Sequence, residues 1–205
     1  MQSLILSILA LFFSATALAV SIASYRISRR NFIDERLIVL RAKFDDKSSA
    51  MELSPAVENV ILQSANVHFP TELSQPTPIR GPSNRANLFE AAQNLKSMLA
   101  KMDDYKFDKN FLKVKRGYLP ILINSFYVAK GAAYGDVSLY MLHFVSFLGG
   151  ETSELRVTFE SLMFLKKLSF KRDLDAQAYL DKIYKEQAEG QLEIYAPSVT
   201  EIRIK

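Results

Sequence analysis

The first twenty-five residues contain no Asp, Glu, Lys or Arg, and all 26 basic and 22 acidic residues follow Tyr25. Within that stretch, Leu4 to Ala23 is an apolar run of twenty residues. A helix rises about 1.5 Å per residue, so the run spans roughly 30 Å, the hydrocarbon thickness of a bilayer. Its polar members, Ser7, Ser14, Thr16 and Ser21, are small hydroxyls that can bond back to their own helix carbonyls. The expected element is a single transmembrane helix over residues 1–25.

A cleaved signal peptide is the rival reading. Ala15-Thr16-Ala17 and Ala17-Leu18-Ala19 both fit a small-x-small cleavage site. A signal peptide, however, begins with a basic segment and has an apolar core of about 7 to 15 residues. Here the opening is Met-Gln-Ser, and the basic residues Arg26, Arg29 and Arg30 stand on the far side. That placement predicts a retained anchor with its N-terminus outside, the rest of the chain in the cytoplasm, and the three arginines at the lipid head groups. Ala15, Ala19 and Ala23 form a small-xxx-small stripe, a candidate face for helix association in lipid.

The remaining chain is long enough for one domain with its own core. The division expected is an anchor at 1–25, a basic juxtamembrane connector at 26–35 and a soluble domain at 36–205. The net charge of +4 is too mild to imply nucleic acid. With no cysteine, disulfides, thiolate-bound metals, iron–sulfur clusters and thiol catalysis are excluded.

In "RLIVLRAKF", Ile38, Leu40, Ala42 and Phe44 alternate with polar residues, which predicts a half-buried strand, with "DDKSS" as the turn after it. "VENVILQSANVHF" predicts a second strand whose phase slips near Ser64, as a bulge would make it do. Residues 70–84 hold four of the seven prolines and read as a loop. Leu88, Ala91, Ala92, Leu95, Met98, Leu99 and Met102 then share one stripe of a helix expected over Arg85–Met102, capped by Ser83 or Asn84.

"DDYKFDKNFLKVKRG" reads as an irregular basic–aromatic linker. Three apolar runs follow, beginning at Tyr118, Val137 and Leu155 and separated by "GAAYGD" and Gly149-Gly150. Short links imply antiparallel neighbours, hence a three-strand meander. The apolar part after Asp136 is too short for a second membrane span. "RDLDAQAYLDKIYKEQAEG" predicts a second amphipathic helix, with Asp173 and Gly190 as its caps. The tail reads as a last strand or two. The sum is an α+β domain of five to seven mainly antiparallel strands with two amphipathic helices packed on them.

Chemistry is sparse. His68 and His143 each lie in an apolar strand with no local metal-ligand spacing, and a partly buried histidine bonded to backbone is the simpler reading. Asp45-Asp46 and Asp103-Asp104 fall where turns are expected. Gly131 and Gly135 bracket a turn more naturally than a phosphate cradle. No nucleophile elbow, P-loop or dinucleotide fingerprint occurs, and no cofactor or metal is expected. Lys106, Lys109, Phe111, Lys113, Lys115 and Arg116 form a candidate basic–aromatic contact; a solvated edge, a lipid surface and nucleic acid all fit such a mix. Lys166, Lys167, Lys171 and Arg172 form a second basic cluster, at a strand end and helix approach.

The expectation is a membrane-anchored, non-enzymatic interaction or regulatory module with its domain on the cytoplasmic face. It would contact lipid through its helix and bind a protein partner or a second copy of itself. One alternative is a tethered hydrolytic or nucleic-acid-acting enzyme whose carboxylates assemble only in three dimensions, for which Asp136, His143, Glu160 and the acidic pairs are the residues to examine. The other is an exported domain behind a cleaved leader.

Overall fold

A computed structural model describes residues 13–26, 38–45, 49–102, 107–108, 110–149, 152–168, 173–188 and 198–203. The chain divides into two compact units, Met1–Leu37 and Ile38–Lys205.

In the first unit, residues 13–26 form helix α1. Its apolar side chains, Phe13, Leu18, Val20, Ile22 and Tyr25 among them, are exposed. Thr16 Oγ1 donates to the Phe13 carbonyl at 2.9 Å, the back-bond that lets a hydroxyl sit on an apolar helix. Ala15, Ala19 and Ala23 fall one turn apart on this helix, and Arg26 is its last described residue. Among the described residues no helix is long and apolar enough to cross a membrane. Residues 1–12, which include the start of the apolar run from Leu4, lie outside the described residues, as do Arg29 and Arg30.

The second unit is a mixed α+β domain whose described strands pair antiparallel throughout. A three-stranded sheet has the order β1 (Leu40–Asp45), β2 (Ala50–Pro55), β5 (Arg85–Asn87). A larger sheet runs β4 (Thr77–Arg80), β3 (Val60–His68), β6 (Phe111–Ala129), β7 (Ala132–Gly149), β8 (Thr152–Leu168). Strand β9 (Ser198–Arg203) also pairs with β6. Helices α2 (Phe89–Ala100) and α3 (Asp173–Ala188) complete the unit.

The main core lies between the inner face of the large sheet, the small sheet and α2. Ile121, Ile123 and Tyr127 of β6 and Tyr140 and Leu142 of β7 meet Leu40 of β1, Met51 and Leu53 of β2, and Ala91, Leu95 and Leu99 of α2. Alternation along each strand places these residues on one face. The outer face carries a separate, smaller cluster, where Leu122 and Leu139 receive Ala176 and Leu180 of α3.

Several expectations hold. Ile38 and Leu40 are buried, with Ala42 and Phe44 packed against the same core. The slip near Ser64 is a register shift between Leu62 and Ser64 in the β3–β6 ladder. The apolar stripe of α2 faces the core, except for exposed Met102. The meander is β6–β7–β8, and a final strand exists.

Other expectations are corrected. Nine strands are described, where five to seven were expected. The proline-rich stretch 70–84 contains β4, paired to the outside of β3. Pro78 is tolerated there because β4 is an edge strand, where one missing N–H costs no second ladder. Residues 85–87 form β5, so α2 starts later than its apolar stripe implies. Neither Ser83 nor Asn84 caps it; the Asn87 side chain accepts from the Phe89 amide at 2.8 Å. The "GAAYGD" turn shrinks to Lys130-Gly131, both at positive φ (50° and 77°), the pairing that closes a two-residue hairpin. Residues 132–136 belong to β7.

Likewise, residues 111–117 are not linker but the first third of β6. Pro120, two residues into the apolar run from Tyr118 and so expected near a strand start, therefore stands mid-strand. The register explains how: β3 pairs β6 from Leu122 onward and β9 pairs it up to Arg116, so residues 117–121 face a break between the two. Gly190 lies outside the described residues, as does the Asp173 side chain.

Candidate functional site

Helix α3 covers that break. Gln187 Nε2 donates to the Tyr118 carbonyl at 2.8 Å, so this carbonyl points away from β7 and toward the helix. The polar groups of alternate strand residues point to the same side, so Pro120 turns its missing N–H to the same break. Gln187 thus satisfies a backbone acceptor that no described strand reaches.

The other end of α3 is tied to the loop after β3. Asp181 accepts from the Thr71 amide at 2.8 Å and from the Thr71 hydroxyl at 2.7 Å. Gln177 Nε2 donates to the Phe69 carbonyl at 2.9 Å. Tyr184 donates to Met98 Sδ at 3.6 Å, reaching α2. Burial and the nearby Glu72 charge push the Tyr184 phenol up to about 12.

One flank of α3 is therefore clamped by polar bonds. The opposite flank stands off from β7 and β8 and leaves a cleft of about 400 Å³. Leu139 and Met141 of β7 and Leu165 of β8 form its sheet side, with Tyr179 and Ile183 on the helix side. Lys166, Lys182, Glu186 and Gln187 are its polar lining. Lys182 lies 3.6 Å from Glu186, one turn on. The Lys166 ammonium sits 5.6 Å from the centre of the Tyr179 ring. Gln187 Oε1 is buried with no hydrogen-bond partner.

Further along the same sheet face lies a second group. His143 Nδ1 is 3.4 Å from Glu160 Oε2, and the imidazole stacks on Tyr118 with ring centres 4.8 Å apart. A register shift between His143 and Phe144 makes Glu160 the extra residue of β8, which aims its carboxylate at the histidine. His143 thus has a carboxylate partner rather than the backbone partner expected. His68 differs as well: its Nδ1 is buried with no hydrogen-bond partner.

Asp136 is on the opposite, inner face. It is not in a turn but buried in β7, with Oδ2 at 3.0 Å from Lys167 Nζ. Burial raises its carboxyl above the usual range, and Lys167 pulls part of the way back. Ser125 and Ser138, both buried, are its neighbours on that face, and Ser138 Oγ has no hydrogen-bond partner.

The residues singled out for hydrolytic chemistry therefore do not converge. His143 and Glu160 pair on one face, Asp136 pairs with Lys167 on the other, and Asp45 forms an exposed ion pair with Arg85 at 3.0 Å. Asp46, Asp103 and Asp104 lie outside the described residues. Among the described residues no group of three His, Asp or Glu side chains is placed to hold a metal ion.

The basic–aromatic stretch is split by strand alternation. Lys113 and Lys115 point to the inner face, and exposed Arg116 points to the outer one. Lys115 is buried, its ammonium 3.0 Å from Met102 Sδ. Lys106 and Lys109 are outside the described residues, and Phe111 is half-buried. The described members do not form one continuous cationic surface. The second basic cluster also divides, Lys166 toward the cleft and Lys167 toward Asp136, while Lys171 and Arg172 are not described.

The cleft escaped sequence reading. Leu139, Met141 and Leu165 look like any core residues, and Leu139 and Met141 are buried; only the offset of α3 sets them on the floor of the cleft. A faint signal existed in α3, where Lys182 and Glu186 share a flank with Tyr179 and Ile183.

No protein-family model, no curated protein and no solved structure matches this chain.

Proposed function

We propose that this protein is a membrane-anchored, non-enzymatic binding module. The apolar opening segment acts as the anchor, with the N-terminus outside and the Ile38–Lys205 unit in the cytoplasm. Arg26, Arg29 and Arg30 meet the lipid head groups. The face of Ala15, Ala19 and Ala23 pairs with another helix, either a second copy or a partner. The domain offers the cleft under α3 as its contact surface and passes the state of that cleft to a protein partner held at the same membrane.

The observation that carries this reading is the cleft: concave, mostly apolar and edged by a few charged groups, as binding sites generally are. The separation of Asp136 from His143 and Glu160 weighs against a hydrolytic reading. The His143–Glu160 pair is the one feature that favours the enzymatic alternative, because a carboxylate on Nδ1 leaves Nε2 as a base.

The experiment is recovery of the tagged full chain from mild-detergent membranes, alongside the Ile183→Trp variant, which fills the cleft. A discrete protein recovered with the parent chain and lost with the variant supports the reading. Identical recovery with both, or no protein with either, overturns it.

A further inference from the structure

We propose that the cleft under α3 binds a single-chain anionic amphiphile, a free fatty-acid carboxylate, with its chain along Leu139, Met141, Leu165 and Ile183 and its head group at Lys166. This rests on the reading of the cleft as the contact surface and names its occupant.

Size is the first argument. The cleft holds about 400 Å³, near the low end of the roughly 300–1,000 Å³ typical of small-molecule sites. One acyl chain suits that volume, whereas the two chains of a bilayer phospholipid would need far more. A folded protein segment would need a broader groove than one helix flank and two strands provide.

Charge is the second argument. The two lysines of the lining are not equivalent. Lys182 has Glu186 at 3.6 Å to offset it. Lys166 is exposed, and its ammonium sits over the face of Tyr179, with no carboxylate paired to it among the described residues. Among the described residues the lining therefore carries one more positive than negative charge, with Lys166 at the end nearest the start of α3. An apolar trough with a single cation at one end complements a chain with a single anion at one end, and repels an amphiphile with a cationic head.

The probe is radiolabelled dodecanoate. Equilibrium dialysis would compare the full chain in phosphatidylcholine nanodiscs with an equal concentration of empty discs, so that partition into lipid is subtracted. About one equivalent should be retained above the empty discs. Affinity should rise about fourfold for each methylene added from octanoate upward, and level off once the cleft is full. Lys166→Gln, at an exposed position, should weaken binding about three- to fivefold, and Ile183→Trp should abolish it. Circular dichroism identical to the parent would show that each variant folds.

No excess over empty discs would overturn the proposal. So would full retention by folded Ile183→Trp, or equal retention of dodecyltrimethylammonium. If dodecanoate is not retained but Ile183→Trp still loses the captured protein, the occupant assigned here is wrong and the binding-module reading stands. If dodecanoate binds and no protein is captured, the reverse holds.

Discussion

The Tyr140 hydroxyl accepts a hydrogen bond from the Leu40 amide at 3.0 Å, across one hundred residues of sequence. It joins the second-last strand of the large sheet to the first strand of the small one. Both residues are almost fully buried, so the bond forms where no water competes. Tyr140→Phe removes the acceptor and leaves a buried amide unmet. The expected loss is about 1–3 kcal/mol, read as a lower urea midpoint at unchanged slope.

The same phenol predicts an alkaline effect. Burial pushes it up to about 12, the Leu40 amide lowers it somewhat, and the Asp136 charge raises it again. An unfolded tyrosine titrates near 10. Between those values the folded state holds the proton that the unfolded state has lost, so folding is favoured less as pH rises. Stability should fall from about pH 10 to pH 12, by at most about 1.4 kcal/mol per pH unit from Tyr140, with a smaller share from the more exposed Tyr184. Urea titrations at pH 9, 10 and 11 would show the decline, and Tyr140→Phe should flatten it.

Asp136 and Lys167 give a signed prediction of a different kind. The carboxyl is raised, first by burial, so its ionisation works against the fold above the carboxylate range. The stability tied to its neutral form is present at acid pH and lost as pH rises through its folded value. Asp136→Asn should therefore be neutral or stabilising at pH 7, with its advantage shrinking as pH falls toward 4. Lys167→Met leaves the carboxylate buried alone and should cost about 3 kcal/mol at pH 7, most of which Asp136→Asn in the same chain restores. Thermal melts of the four combinations at two pH values would test this.

Two glycines should differ in their tolerance of alanine. At Gly117 an added Cβ would come 2.5 Å from the Phe144 ring, a side chain able to shift, so about 1–3 kcal/mol is expected. At Gly149 the backbone has φ of +115°, and the added carbon would run into the Phe111 carbonyl, which cannot move without breaking the end of β6. Gly149→Ala should lower the melting temperature well beyond Gly117→Ala. Equal effects would argue against the hairpin geometry described between β6, β7 and β8.

Much of the domain was legible in the residues because strand alternation and helix stripes are local. Leu40, Leu95 and Leu99 declared their burial through spacing alone, and the slip at Ser64 declared its bulge. What stayed hidden depends on distant partners. Strand β4 was masked by Pro78, whose placement makes sense only once β4 is known to be the edge strand beside β3. Pro120 pointed to a strand start, but the break between β3 and β9 admits it mid-strand. Asp136 looked like a turn residue, since its counter-charge lies thirty-one positions later in the chain. The cleft was least legible of all. It arises from where α3 is tied, through Asp181 to Thr71 and Gln187 to Tyr118, and no periodicity in Leu139 or Met141 records that.

The chain has no cysteine, so a single introduced thiol reports on one place. The most direct test of the binding-module account is the maleimide reaction rate of Leu165→Cys, inside the cleft, relative to Lys185→Cys on the exposed flank of α3. Both rates would be measured in native membranes and again after delipidation of the purified full chain. An occupied cleft predicts that Leu165→Cys is slowed at least about tenfold in membranes and recovers when the guest is removed, while Lys185→Cys keeps its rate. A Leu165→Cys rate that is the same in both preparations would contradict the account.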